Sequence, residues 1–432
     1  MSEASVFPNW RKALLGDVAS CTLGGTPSTE IPLFWGGDIP WMASGDVHLR
    51  RIHDVPGRIT KAGLTSCNAT MTRPPAVAVG LAGQGKTRGT VALTLRELCT
   101  NQSIALLKGD QKNLLTEFLF HNLERRYEEL RARSSGGGRG GLSKGILEQV
   151  PMELPSLPVQ SKIAEILDTL DAAIRGTEAV VAKLKAMKQG LLHDLLTRGI
   201  DANGDLRPPQ PEAPHLYKQT PLGWLPREWD CLELGAITRE LAQGWSPDCP
   251  SEPALAHEWG VLKTTTVVWS GYQEHENKRL PEGLRPRPHL QVEVDDILIT
   301  RAGPSSRVAV VAHVPATRSK LMISDKLYRL RVSGEQNPAF TAAALSSIAV
   351  QREIGKTISG MAESQTNISQ ATLKPLPVPV PSKWEQDAIM VGIEAQSQKL
   401  KGEEELLNKL RLQKSGLMDD LLTGRKPVTD LL

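Results

Sequence analysis

The chain has 432 residues, 40% of them hydrophobic and 23% charged, with a formal net charge of +3. That length exceeds one ordinary domain and predicts two to four. The near-neutral balance excludes a small, strongly basic nucleic-acid binder, so any acidic partner must meet local basic patches. Five cysteines (Cys21, Cys67, Cys99, Cys231, Cys249) form no C-x-x-C pair, which argues against zinc and disulfide frameworks. The first residues lack the basic and apolar regions of a leader, and no run of about 18 apolar residues occurs. A soluble, cytoplasmic protein with reduced thiols is expected.

From about residue 10 to 150, short apolar runs alternate with Gly and Pro. PAVAVGL (75–81), GTVALTL (89–95) and QSIALLK (102–108) predict strands, and LTEFLFHNLERRYEELRAR (115–133) predicts a helix. The loop between the first two strands carries Gln84, Lys86, Thr87 and Arg88 among glycines. A second basic, glycine-rich stretch, 134–144, carries Arg139 and Lys144. Such side chains on Gly-rich loops suit contacts to base edges and phosphates, since glycine lets the backbone approach closely. A solvated hairpin tip and a plain surface loop have the same composition, and pattern alone leaves both readings open.

Residues 80–87 also fit the phosphate-cradling pattern G-x-x-x-x-G-K-[ST]. The chemistry of that motif needs a following helix, whose N-terminal amides hold the phosphate. Here Arg88-Gly-Thr-Val-Ala-Leu-Thr-Leu predicts a strand, so a nucleotide site is not expected.

Residues 159–197 place Ile163, Leu167, Leu170, Ile174, Val181, Leu184, Leu191 and Leu195 at 3-4 spacing. Held over five heptads, this predicts a coiled-coil helix of roughly 60 Å. Five prolines in 199–221 then predict an extended linker. From about 229 to 375 a second mixed unit follows, with strands at DILIT (296–300) and RVAVVAHV (307–314). The loop between them carries Arg301, Ser305, Ser306 and Arg307. A second long helix closes the chain.

The chain is written twice. KLKAMKQGLLHDLLT begins at 183, and KLRLQKSGLMDDLLT begins at 409, 226 residues later, with nine of fifteen positions identical. The same offset pairs Gln160 with Gln386 and Pro155-Ser156 with Pro381-Ser382. It predicts the second seam: Ile389, Ile393, Leu400, Leu407, Leu410, Leu417 and Leu421, with Gln396 as the polar exception. Both seams break at matched places, Thr177 with Glu403 and Lys188 with Lys414. Matched glycines, Gly176/Gly402 and Gly190/Gly416, suggest close helix approach or a bend, or an accident of duplication. Earlier, Trp10, Leu15 and Gly16 match Trp229, Leu234 and Gly235 at an offset of 219. Each stripe needs a partner, and the simplest is the other copy. Antiparallel packing would relate the halves by a pseudo-two-fold axis.

These residues resemble the specificity subunit of Type I restriction–modification systems, over nearly the whole chain. In the first half the likeness rests on Gly24-Gly-Thr-Pro-Ser, Trp35-Gly-Gly-Asp-Ile-Pro-Trp41, Ser44-Gly-Asp46, Gly85-Lys-Thr-Arg-Gly and Asn101-Gln-Ser. At the junction it rests on Leu195-Leu-Thr-Arg-Gly-Ile and Leu222-Gly-Trp-Leu-Pro-Arg-Glu-Trp229, and later on Asp296-Ile-Leu-Ile-Thr-Arg-Ala-Gly and Leu421-Leu-Thr-Gly. Trp384, Gly392 and Gln396 depart from the pattern at the start of the second helix.

The resemblance implies an α+β fold. Two tandem α/β target-recognition domains, 1–153 and 222–379, are joined by spacer helices at 154–198 and 380–425. The helices pack as an antiparallel, pseudo-two-fold coiled coil, with the linker at 199–221 and a tail at 426–432. Each domain would read one half of a bipartite, asymmetric DNA target. Gln84, Lys86, Thr87, Arg88, Arg139 and Lys144 would serve the first half, and Arg301, Ser305, Ser306 and Arg307 the second. The helices would dock two modification subunits that methylate adenine with S-adenosylmethionine. Restriction subunits using ATP and Mg2+ can join. The chain itself would hold no cofactor, no metal and no catalytic residue. A nucleotide-hydrolysing enzyme through residues 80–87 and a structural dimeriser without DNA contact are the alternatives.

Overall fold

The computed structural model describes residues 10–83, 85–134, 141–358 and 366–428. They form two compact units, Met1–Val180 with Glu403–Leu432, and Val181–Gly402. Both long helices, α6 (Leu157–Thr197) and α11 (Lys383–Leu421), are cut by this division. Each unit therefore holds the start of one helix and the end of the other. No described helix is long and apolar enough to cross a membrane.

In unit one, β1 (Arg11–Leu14) pairs antiparallel with β10 (Pro151–Leu154), tying the two ends of the globular part together. Short α1 (Leu15–Val18) leads into the central sheet. Its strands are β2 (Ala19–Leu23), β4 (Arg51–Ile52), β6 (Ala76–Gly80), β7 (Val91–Thr94) and β9 (Ile104–Gly109), in the order β2-β9-β6-β7-β4. Strands β6 and β7 are buried on both faces, which is why they read as unbroken apolar runs rather than alternating ones. Period-two geometry sends Val77, Val79, Val91 and Leu93 to one face, against Phe118 and Leu119 of α3 (Thr116–Arg125). It sends Ala76, Ala78 and Ala92 to the other, against Met42, Val47 and Ile52. A smaller sheet joins β3 (Trp35–Met42) to β5 (Arg58–Ile59) and β8 (Cys99–Thr100). Helix α2 (Lys61–Ser66) follows β5. The helix predicted over 115–133 is two, α3 and α4 (Tyr127–Arg133), parted at Arg126, whose ψ of 20° leaves the α region. Helix α5 (Lys144–Glu148), capped by the Ser143 hydroxyl, precedes β10.

Unit two repeats this topology. Hairpin β11 (Tyr217–Thr220) with β12 (Gly223–Pro226) precedes β13 (Asp230–Glu233), which pairs with the last strand as β1 pairs with β10. After α7 (Leu234–Ile237) comes β14 (Thr238–Gln243), and then β15 (Gly260–Leu262). A β-ribbon, β16 (Val267–Val268) with β17 (Gly271–Tyr272), leads to β18 (Asn277–Arg279). Next come β19 (Ile297–Thr300), β20 (Ala302–Gly303), β21 (Val311–His313), β22 (Leu321–Met322) and β23 (Leu327–Val332). The central sheet runs β14-β23-β19-β21, the order of the first four strands of the unit one sheet without a counterpart of β4, and the small one runs β18-β15-β22, matching β5-β3-β8. Helices α8 (Pro338–Leu345), α9 (Ile348–Ile358) and α10 (Gln370–Leu373), with β24 (Thr366–Asn367) and β25 (Pro377–Val380), complete it.

The helix ends pair antiparallel within each unit. In unit one Arg411 bonds Glu178, Lys414 meets Asp171, and Met418 and Leu421 share a core with Ile163 and Leu167. One helix ascends as the other descends. In unit two Leu191 and Leu195 pack with Ile389 and Ile393. Of the predicted seam, Ile174, Val181, Leu184 and Leu407 are also buried, while Leu170, Leu191, Leu400, Leu410 and Leu417 are half-buried. Asp171, fully buried, takes the place predicted for Leu170. It lies four residues past Leu167 and three before Ile174, and so stays on the packed face. A Cβ on Gly176, Gly190, Gly402 or Gly416 would meet nothing within 4 Å, so none marks a close helix approach among the described residues.

Segment 199–221, expected as an extended linker, is folded into unit two. Ile200, Arg207, Ala213 and Tyr217 are buried, and the β11–β12 hairpin straddles its end. Its prolines do favour extended backbone, but Arg207 is drawn inside by Glu385 and the Tyr217 hydroxyl donates to the Pro208 carbonyl at 2.6 Å.

Candidate nucleic-acid interface

In unit one the loop after β6 closes as a hairpin, with Gly89 N donating to Gly80 O at 2.9 Å. Strand β7 follows at Val91, so residues 80–87 lack the helix that a phosphate cradle requires. Gly89 has φ +81°, and a Cβ there would sit 3.1 Å from Arg131 and 3.2 Å from the Tyr127 carbonyl. Arg131 donates to the carbonyls of Gly85 (2.7 Å) and Arg88 (3.1 Å), and the Tyr127 hydroxyl donates to that of Lys86 (3.3 Å). Helix α4 thus braces the loop from below, a role its sequence did not announce. Above the brace, Lys86 is exposed and Arg88 half-buried, and Thr87 Oγ1 lies 3.1 Å from His48 Nε2. Leu142 N bonds Leu81 O at 2.8 Å, which brings the chain before exposed Lys144 to the loop's base. Gln84 and Arg139 lie outside the described residues.

The matching loop of unit two differs. The Arg301 guanidinium donates to the Tyr328 hydroxyl and the Asp325 carbonyl, each at 3.1 Å, and lies 5.8 Å from the Tyr328 ring. It is held by its own domain, not presented outward as expected for a base contact. The reason is local: the half-buried charge needs partners, and β23 supplies an aromatic face and a phenol. Arg307 reaches the Thr264 carbonyl at 3.4 Å, and Ser306 is exposed. The Ser305 side chain lies outside the described residues. Strands β20 and β24 pair at the loop's base, and Ile368 N bonds Arg301 O at 2.9 Å, as Leu142 bonds Leu81.

Two ties fasten each globular part to its helix. Gln160 and Gln386, both fully buried, sit at matched places in the first turns. Gln160 accepts from Leu115 N at 2.9 Å and donates to Pro155 O, while Gln386 accepts from Asn337 N at 2.8 Å and donates to Pro381 O. The second tie differs between units. In unit one, Arg50 bonds Asp171 and Glu124, Arg51 bonds Asp168, and Lys414 Nζ lies 2.7 Å from both Glu124 and Asp171. Burial works against the Glu124 carboxylate, but the His121 hydrogen bond and the Lys414 and Arg50 charges outweigh it and hold its pKa at about 2. His121, Glu124 and Asp171 have the spacing of a metal site, yet Lys414 already supplies a cation between the carboxylates. In unit two Glu385 accepts from Arg207, from the Trp229 indole at 3.0 Å and from Ile200 N at 2.9 Å. Burial pushes the Cys21 and Cys99 thiols up to about 11, which keeps them protonated at neutral pH.

Residues 8–186 match the family model for the Type I restriction modification DNA specificity domain. The specificity subunit of the Type I restriction enzyme EcoEI, from Escherichia coli, is 36% identical over 240 residues. That alignment covers 51% of this chain and 40% of the relative. The MjaVIII specificity subunit of Methanocaldococcus jannaschii is 22% identical over 343 residues, 76% of this chain and 75% of its own length. Among solved structures, the S subunit of a Type-I restriction-modification system from M. genitalium superposes with a TM-score of 0.59 at 16% identity, covering 98% of each chain. A chain from a type I R-M system, solved to show its complex assembly and conformational transition, gives 0.55 at 16% identity over 96% of this chain and 98% of that one. At such identities these two likenesses concern the fold.

Proposed function

We propose that the chain is a Type I restriction–modification specificity subunit, the sequence-reading member of such a complex; the family match over residues 8–186 and the likeness to specificity subunits support this reading. Each globular part reads one half of a bipartite, asymmetric DNA target. One observation carries this reading. The two units share the order of four central strands, the buried glutamine tie to the helix and the loop bases, yet the loops at matched places differ: Lys86-Thr87-Arg88 in one, Ser306-Arg307 in the other. A common frame with unlike tips suits two different half-sites read by direct contact.

The long helices dock two modification subunits, which bring S-adenosylmethionine for adenine methylation. Restriction subunits, where present, bring ATP and Mg2+. This chain contributes recognition and no reacting group, and it works in the cytoplasm beside its DNA. The test is to co-express it with its modification subunit and map methylated adenines genome-wide. A bipartite motif is expected, and replacing residues 10–150 by those of another specificity chain should change one half of it. An unchanged motif after that exchange, or a footprint in one uninterrupted block, would overturn the proposal and favour a purely structural role.

A further inference from the structure

In unit two a cleft of about 360 Å3 opens beside the candidate loop, lined by Lys263, Lys278, Lys326, Ser246, Thr264 and Ser324, among others. No carboxylate lines it. Of the nearby acids, Glu276 lies 3.7 Å from Lys263 and Asp325 takes the Ser246 hydroxyl, while Asp248 stands between the lining residues Pro247 and Cys249. Among the described residues no ion pair engages Lys278 or Lys326. Ser324 supplies a second observation. It is 6% exposed, and its hydroxyl has no hydrogen-bond partner among the described residues. An orphaned buried hydroxyl costs free energy unless a ligand completes it.

The cleft is also joined to the loop. Arg307 bonds the Thr264 carbonyl, and Arg301 bonds the Asp325 carbonyl with its side chain and the Lys326 carbonyl with its amide. We propose that this cleft grips the DNA sugar–phosphate backbone next to the bases read by the Arg307 loop, with Lys263, Lys278 and Lys326 as phosphate contacts and Ser324 as a hydrogen-bond donor. Lysines fit this task better than base reading. Their ammonium is a hydrated point charge with rotatable donors, whereas base edges favour planar, bidentate groups. At two of the matched places unit one carries no lysine. Ala43 follows β3 where Lys263 follows β15, and Ser103 precedes β9 where Lys326 precedes β23. The grip thus belongs to the second half-site.

This inference rests on the DNA-reading function proposed above, and the test separates the two. Binding of the assembled complex to a duplex carrying its methylated motif is measured from low to high salt. Each lysine replaced by Gln should make the slope of log K against log salt shallower by about 0.9, whatever the sequence of the half-sites. The triple Lys→Arg variant should restore the slope. Ser324→Ala should weaken binding several-fold while leaving thermal stability equal or higher, since it removes an unpaired hydroxyl. A folded triple-Gln complex with the original slope, or full affinity in Ser324→Ala, overturns the cleft while sparing the function. A wild-type complex with no preference for the bipartite duplex overturns both.

Discussion

Lys414 Nζ lies 2.7 Å from a carboxylate oxygen of Asp171, and Asp171 has no exposed surface. One helix thus inserts an ammonium where the other offers an acid, deep in a seam otherwise lined by Ile163, Leu167 and Leu421. Removing one member strands the others. Asp171→Ala should cost unit one about 3–5 kcal/mol. Lys414→Ala should cost less, because Arg50 still faces Asp171 at 3.1 Å. The double variant Asp171→Leu with Lys414→Met should recover much of the loss. Hydrogen exchange over residues 157–180 and 403–421 reads the effect, and equal protection in Asp171→Ala and wild type would refute it.

Acid should loosen the same tie. The Glu124 pKa falls from its ordinary 4.5 to about 2 on folding, so its stabilisation is complete above about pH 4.5 and is lost as pH drops toward 2. Asp168 is shifted the same way: burial opposes, and the His121 contact and Arg51 charge prevail. Unit one should lose stability across that window, with a shallower acid slope in Glu124→Gln. A Glu124→Gln slope identical to wild type would count against the assignment.

The buried glutamines make a paired prediction. Gln160→Ala leaves the Leu115 amide without its acceptor, and Gln386→Ala does the same to Asn337. Each should cost about 1–3 kcal/mol, of similar size and confined to its own unit. Hydrogen exchange would show a sharply unequal pair if only one of these contacts matters.

The arginines of the loops should now divide by role. Arg88→Ala should weaken the first half-site and Arg307→Ala the second, each base contact being worth about 1–3 kcal/mol. Arg301→Ala should instead lower the stability of unit two, since Tyr328 and the Asp325 carbonyl lose their partner. A melting temperature unchanged in Arg301→Ala, together with relaxed methylation at a single base, would return Arg301 to the reading surface.

Glycines in the helices offer a gain. Open space surrounds the Cβ position of Gly176 and of Gly402, so alanine at either should stabilise the free chain by about 0.5–1 kcal/mol. A drop in urea midpoint would mean that backbone bending is needed there.

Much of the frame was legible because its signals are redundant. Five heptads of 3-4 spacing announce α6 and α11, and one offset runs through both. Apolar runs such as PAVAVGL could only be buried strands. What stayed hidden depends on contacts between distant residues. The Asp171 site needs Arg50, 121 residues earlier, and Arg207 is buried only because Glu385 stands 178 residues away. Arg301 looked like a reading residue because a Gly-rich loop says nothing about the Tyr beneath it. The lysine cleft is assembled from Lys263 after β15, Lys278 within β18 and Lys326 before β23, positions far apart in sequence.

The unlike ties bear on whether the two halves of this chain are interchangeable. The offset that pairs the helices places Ser397 where Asp171 stands, and Ser346 occupies in α8's frame the place of Glu124 in α3's. A second half moved into the first position would bring two serines to Lys414 and leave that ammonium buried without an acid. Its recognition loops would be transplanted intact, but the seam beneath them would be mismatched. The polar pairs inside the helices, rather than the loops that differ most, therefore key each half to its own position.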